Sequence, residues 1–305
     1  MKCANNALNL TKPDKDNNIM DAKRIDMNDW DEFGGGAAGS SFYHKTDDGL
    51  VLKLYGERWP QKRSLDEYVR SRHVFEMGVP CPETYEYVTD GRRYGMISQR
   101  IRNKKSFYKI LSEEPERVDE MARRFASAAR KLHSIECDTS VFRPLKERYE
   151  TAFANMVAPQ DVKDDLLKIL HGFQDGTRCI HGDMQGGNII TDGEKDYWID
   201  LGDFSFGNPE MEFSTLWHNA INLGDAKILD MFHIHEDLNM EFTQLVFKYY
   251  HGADWLDEQK RSDIMLKIRL SAVIEFARWI NIVPEETDEI LPVVRRQLAE
   301  LRNYY

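Results

Sequence analysis

Residues 179–200, "CIHGDMQGGNIITDGEKDYWID", decide how this chain is read. A short apolar approach runs into a polar knot ending at Asn188, then through a hairpin turned at Asp192-Gly193, and an apolar run closes on Asp200. Asp183, Asn188 and Asp200 can take a proton or bind a hard cation, and they fall close together. Asp183 and Asn188 stand in a loop loosened by Gly186 and Gly187, which allows both side chains to point to one spot. The hairpin can return Asp200 to the neighbourhood of Asn188.

Outward from this stretch, the two halves of the chain differ in character. On the N-terminal side, "DWDEFGGGAAGSSFYHKTDDGLVLKLYG" holds a glycine-rich turn between strand-like runs, a hairpin signal at Asp48-Gly49, and the strand "LVLKLY". "SLDEYVRSRHVFEMGVP" reads as one helix that opens with a capping box of Ser64 and Glu67 and stops at Gly78 before Pro80. Two further strand-like runs surround Asp90-Gly91, so residues 26–102 are expected to form a five-stranded antiparallel sheet with one inserted helix. Beyond Phe107, apolar residues recur at helical spacing, as at Met121, Phe125, Ala128, Leu132 and Ile135. The expected architecture is therefore α+β and bilobal, with a polar tail at 1–25, a small sheet-rich lobe at 26–102 and a larger, mainly helical lobe at 103–305. A cleft between two lobes is a usual place for a ligand.

Composition excludes several classes of function. A formal net charge of −11 argues against nucleic acid as the main partner, since phosphate backbones select clustered Lys and Arg. The first residues lack the apolar core of a signal peptide, and no run of eighteen apolar residues suggests a membrane span. Cys3, Cys81, Cys137 and Cys179 are far apart with no C-x-x-C, which suits a reducing, cytoplasmic setting. "HIHED", residues 233–237, reads as helix-end surface rather than a metal cluster.

Phosphoryl transfer from a nucleotide needs a phosphate cradle, a fixed cation, magnesium, and a carboxylate that positions the attacking hydroxyl. The run "GGGAAGSS" offers Gly34, Gly35, Gly36, Gly39 and Ser40, whose backbone amides can approach phosphate without interference from a Cβ. It is not G-x-x-x-x-G-K-[ST], so a Walker loop is excluded. Lys53, inside "LVLKLY", is the cation, with a solvent-facing strand lysine as the plainer alternative. Glu67 is its expected partner, in competition with its role in the capping box. Asn188 and Asp200 are assigned to Mg²⁺, and Asp183 to accepting or orienting the hydroxyl proton.

The ordered set, with "HGDMQGGN" and "WIDLGD" at its centre, resembles the aminoglycoside phosphotransferase and choline kinase group of protein-kinase-like small-molecule kinases over about residues 30–220. The resemblance implies a protein-kinase-like fold, Asp183 as catalytic base, Asn188 and Asp200 as magnesium ligands, and Lys53 on the α- and β-phosphates with Glu67 as its ion-pair partner. "YGMISQRI" resembles the strand that leads to the hinge, which would lay residues 98–101, with Gln99 and Ile101, along the adenine. No D-F-G or A-P-E follows, which disfavours a protein substrate. Asp203 is the second choice for metal, after Asp200. The group often has an aspartate supporting the catalytic loop where this chain has Glu212, one methylene longer. His181 is expected to pack and hydrogen-bond under the loop.

The implied activity is Mg²⁺-dependent transfer of the γ-phosphoryl group of ATP, with GTP left open, to a hydroxyl of a small molecule. Aminoglycosides, choline-like amines, sugars and amino-acid alcohols are the candidate acceptors. Acidic residues such as Glu210, Glu212, Asp225, Asp230, Glu236 and Asp237 are available for a cationic one. The alternative is a nucleotide-binding or regulatory module without turnover, whose signature, loss of a key residue, is absent here. Oligomeric state is not legible.

Overall fold

The computed structural model of the chain describes residues 21–36 and 39–305. Most of the expected N-terminal tail, with Cys3, lies outside the described residues, as do Ala37 and Ala38 of the glycine run. The chain divides into two units, one made of residues 21–105 with 190–202, the other of 106–189 with 203–305.

The first unit is built on strands β1 (Lys23–Arg24), β2 (Trp30–Gly36), β3 (Gly39–His44), β4 (Leu50–Tyr55), β5 (Thr84–Thr89) and β6 (Tyr94–Gln99), with helix α1 (Gln61–Glu76) between β4 and β5. They form a six-stranded sheet in the order β1-β5-β6-β4-β3-β2. This corrects the expected five antiparallel strands. The sixth, β1, pairs parallel to β5 with Lys23 opposite Val88. Two residues carry no alternation that a sequence pattern can register, so the strand is visible only through its partner. Lys23 Nζ also reaches Glu86 at 2.8 Å.

Period-two alternation places Leu52 and Leu54 on one face of β4, in a buried cluster with Trp30, Phe42, Val88 and Ile97. Burying each leucine contributes about 1.5–3 kcal/mol. Tyr55 belongs to the opposite face, where it packs with Tyr68 of α1, Tyr87 and Met96. Glycine is required on both sides of this central strand: a Cβ on Gly39 would come within 2.0 Å of the Leu54 carbonyl, and one on Gly95 within 1.9 Å of the Lys53 carbonyl.

The capping box does not form. Helix α1 begins a turn earlier, after Pro60, whose φ of −58° suits entry to a helix. Ser64 is thus inside the helix, its hydroxyl bonded to the Gln61 carbonyl at 2.8 Å, and Glu67 is released for another partner. The helix ends as expected, with Gly78 in the left-handed region at φ +82°.

After β7 (Lys105–Ser106), the second unit carries helices α2 (Phe107–Glu113), α3 (Val118–Ser134), α4 (Leu145–Asn155) and α5 (Gln160–Gly172), then strand β8 (Arg178–Ile180). Strands β9 (Ile189–Thr191) and β10 (Asp196–Trp198), which belong to the first unit from residue 190 on, are neighbours and form the expected hairpin. Strand β11 (Ser205–Gly207) pairs antiparallel with β8, setting Ser205 opposite Ile180. Helices α6 (Ser214–Asn222), α7 (Gly224–Phe232), α8 (Glu236–His251), α9 (Ala253–Leu256), α10 (Glu258–Ile282) and α11 (Thr287–Leu301) complete the unit. A core cluster of this unit draws on α4, α5, α10 and α11, and includes Tyr149, Phe153, Leu166, Ile274, Ala277 and Val294.

Helix α6 buries His218 fully against Phe276 and Trp279 of α10. Burial pushes this imidazole down to about 4, outweighing the upward pull of Glu275. In the unfolded chain the ring protonates near its ordinary value of about 6.5, so between about 6.5 and 4 the unfolded state binds more protons and stability rises with pH. Acidification from pH 7 to 4.5 should therefore cost about 2–3 kcal/mol through this group alone. Urea unfolding at both pH values should show that component missing in His218→Asn; an unchanged pH difference would refute the assignment.

Candidate active site

In the first unit, Lys53 sits opposite Ser41 of β3 and Met96 of β6. The Lys53 side chain keeps 34% of its exposure but is engaged by an ion pair: Nζ is 2.8 Å from Glu67 Oε1 on α1 and 4.9 Å from the Tyr55 ring centroid. Burial disfavours the ammonium, but the carboxylates of Glu67 and then Asp200 outweigh it and raise its pKa. Burial also opposes the Glu67 charge, and Lys53 reverses that and lowers the carboxyl. Both groups are thus charged across the neutral range, so the cation is fixed in place.

Gly34 and Gly35 of β2 face Ser41 and Ser40 of β3, and Gly36 faces Gly39, so the predicted cradle residues form the end of one hairpin. The register shifts between Glu32 and Gly34. Gln99 ends β6 with its amide committed to the Glu83 carbonyl at 2.8 Å, and Ile101 lies just beyond it, buried.

Asp200 belongs to the first unit and has a left-handed backbone, φ +58°. Aspartate tolerates that region better than most residues, and such backbone is found preferentially at functional sites. The Trp198 amide donates to the Pro80 carbonyl at 2.8 Å, and Arg70 of α1 donates to the Gly202 carbonyl, so both ends of this segment are anchored within its own unit.

In the second unit, β8 delivers the chain to His181, Gly182 and Asp183. His181 is fully buried, and its Nδ1 accepts from the Asp183 amide at 3.3 Å, the expected hydrogen bonding under the loop. Asn188 Nδ2 donates to the main-chain oxygen of Asp183 at 2.8 Å and to its Oδ2 at 2.9 Å. The structure therefore brings Asp183 and Asn188 together. With the amide nitrogen engaged, the Asn188 oxygen is left as the donor that suits a hard cation, as does the Asp200 carboxylate. Among the described residues, no group of three or more His, Cys, Asp or Glu side chains is arranged to hold a metal. Magnesium is usually held by only one or two protein oxygens, with nucleotide phosphate and water completing its shell, so its binding needs no larger cluster.

Glu212 holds the loop from below. Its Oε2 accepts the His181 amide at 2.6 Å, its Oε1 accepts the Gly182 amide at 2.9 Å, and His133 Nε2 stands 3.4 Å from Oε2. Buried in this way, Glu212 is withdrawn from the acidic residues available to a substrate. Glu210 is paired with Lys267, and Asp225 with His235 and the Glu236 amide. His218 belongs to the core. Trp217, by contrast, lines a cavity of about 420 Å³ with Glu241, Gln244, Leu245, Lys248, Trp255 and Met265.

Sequence reasoning missed the ionised residues behind the loop: Arg148 on α4, and Glu275 and Arg278 on α10. A signal was present, since Glu275 and Arg278 interrupt "SAVIEFARWI", an otherwise buried, largely apolar helical run. Asp203, the second choice for metal, is held by these cations, its Oδ2 lying 3.4 Å from Arg148 and 4.0 Å from Arg278. Tyr108 was missed too. A Cβ on Gly186 would meet its ring at 2.6 Å, so that glycine is needed for close packing as well as for looseness.

These features define a protein-kinase-like phosphotransferase architecture, α+β, with a sheet-rich and a mainly helical unit. Residues 29–246 match the phosphotransferase enzyme family, to which the chain belongs. No curated protein sequence matches it. Similar solved structures include a choline/ethanolamine kinase family protein from Mesorhizobium loti, 15% identical, covering 90% of this chain and 87% of that one with a TM-score of 0.56. An ethanolamine kinase from Plasmodium vivax is 12% identical, covering 88% and 84%, with a TM-score of 0.58. The ADP-bound aminoglycoside phosphotransferase APH(2'')-Ib is 19% identical, covering 89% and 91%, with a TM-score of 0.54. At these identities the likeness is one of fold. Among the described residues, no helix is long and apolar enough to cross a membrane.

Proposed function

We propose that this member of the phosphotransferase family is a small-molecule kinase that transfers the γ-phosphoryl group of ATP or GTP to a hydroxyl. The observation that carries the reading is the pinning of the Asp183 carboxylate by the Asn188 amide, within a family defined by phosphotransfer. Asp183 takes the acceptor's proton as the new O–P bond forms and the bond from the bridging oxygen to the γ-phosphorus breaks. Lys53, braced by Glu67, neutralises the α- and β-phosphates, and the amides of Gly34, Gly35, Gly36, Gly39 and Ser40 lie against the phosphate chain. Gln99 and Ile101 border the adenine. Asn188 and Asp200 would hold Mg²⁺, which screens phosphate charge and orients the transferred group.

The acceptor is a small alcohol, cationic if it follows the aminoglycosides or ethanolamine named for the structural relatives. A reducing, cytoplasmic setting is part of the same proposal, on the wide spacing of the cysteines in the sequence.

The test is turnover of ATP and of GTP with Mg²⁺ against a panel of aminoglycosides, amino alcohols and sugars. Acceptor-dependent release of the nucleoside diphosphate is expected for at least one class. Nucleotide binding with no turnover on any acceptor would overturn the reading in favour of a non-catalytic nucleotide-binding module.

A further inference from the structure

Gly182, the residue before Asp183, has both of its backbone polar groups held by ionised side chains. Glu212 takes its amide. Its carbonyl accepts from both terminal nitrogens of Arg148, each at 3.0 Å. Gly182 is in the left-handed region at φ +83°, and a Cβ there would come within 2.3 Å of the Asp203 carbonyl. The loop thus packs backbone to backbone on the segment that opens at Asp203.

Arg148 spans that contact. Besides the Gly182 carbonyl it meets the Asp203 carbonyl at 3.5 Å and the Asp203 carboxylate at 3.4 Å. The residue is only 3% exposed, and its guanidinium is kept in place by Glu275, 3.4 Å away. Glu275 also accepts from the Tyr149 hydroxyl at 2.8 Å and from Arg278 at 2.5 Å. Burial opposes the Glu275 charge, and Arg278 and Arg148 reverse that, so the carboxyl lies below its ordinary value. Two cations and two anions balance in charge, which favours burying Arg148 and Glu275.

Buried ion clusters are weak sources of stability, because apolar residues of similar volume do as well. What such a cluster supplies is directional hydrogen bonding to particular carbonyls. We propose that Arg148 is a positioning residue for Asp183, held in place by Glu275, and that it makes the catalytic loop and the Asp203 turn a single rigid piece. The proposal rests on the kinase reading for its consequence in turnover. Its structural claim stands independently of that reading.

The experiment compares wild type with Arg148→Lys, Arg148→Met and Glu275→Gln, using the best acceptor of the panel and hydrogen–deuterium exchange over residues 179–190. In Arg148→Met, kcat should fall about 10- to 100-fold while the nucleotide KM stays within about two-fold, since the loss is one of orientation. Arg148→Lys should recover part of that loss, and exchange in the loop should quicken in the order wild type, Lys, Met. If Arg148→Met does not fold, Arg148→Lys and Glu275→Gln carry the same comparison. A folded variant with kcat within about three-fold of wild type and unchanged loop exchange overturns the proposal, whatever its melting temperature. So does a kcat loss that Lys does not relieve and that leaves loop exchange unaltered. If wild type turns over no acceptor, it is the kinase reading that fails, and loop exchange still decides the positioning role.

Discussion

Asp183→Asn is expected to lower acceptor-dependent turnover by about 10²- to 10⁴-fold, the usual worth of a positioned general base. The substitution isolates the chemistry from the scaffold. An asparagine at 183 retains an oxygen that can accept from Asn188 Nδ2, where Asp183 Oδ2 now does so at 2.9 Å. Its backbone leaves the His181 contact intact. Nucleotide affinity should stay close to that of wild type, because the proposed phosphate cation, Lys53, is braced by Glu67 in the other unit. Single-turnover transfer and equilibrium nucleotide binding on the same preparation make the distinction. A variant that transfers phosphate at near wild-type rate would remove Asp183 from the reaction.

Glu212→Ala should produce the largest loss of stability of any single change at the site. It would strand two buried backbone donors, on His181 and Gly182, that the carboxylate now satisfies at 2.6 and 2.9 Å, and would deprive His133 of a partner. Removing one member of a buried charge-assisted set costs about 3–5 kcal/mol, with each unsatisfied donor accounting for about 1–3 kcal/mol of such a loss. Glu212→Gln retains one acceptor oxygen but turns an NH₂ group towards a second donor, so it should recover only part of the loss. Glu212→Asp has acceptors for both amides but falls short by a methylene. Urea unfolding ranks the three, and kcat should fall with stability because the same amides orient the loop. Stability within about 1 kcal/mol of wild type in Glu212→Ala would mean that water satisfies those donors.

What the chain revealed before folding was considered depended on signals of two kinds. Punctuation and period exposed the long elements: the Asp48-Gly49 and Asp192-Gly193 turns, the stop of α1 at Gly78, and the amphipathic spacing of α3. Helix α4 escaped because Arg148 occupies a buried position on its inner face, where the periodic pattern calls for an apolar residue. The capping box of Ser64 and Glu67 is a sound local motif that lost to an earlier helix start after Pro60, and Glu67, placed inside the helix, pairs with Lys53 instead. Strand β1 is too short to have a pattern of its own.

The order of chemically able residues, from glycine run through Lys53, Glu67, Asp183 and Asn188 to Asp200, is a property of the sequence alone. Residue type and spacing follow from the chemistry that phosphoryl transfer requires, and they can be read without coordinates. Which carboxylates stay in the service of the backbone was decided by the tertiary structure. Glu212, Asp203 and Glu275 look like the other acids of the helical half in one dimension, and they differ only because folding sets each beside particular cations or amides, burying Glu212 and Glu275. Burial and partner geometry arise from contacts between segments far apart along the chain, and a local pattern carries no record of them.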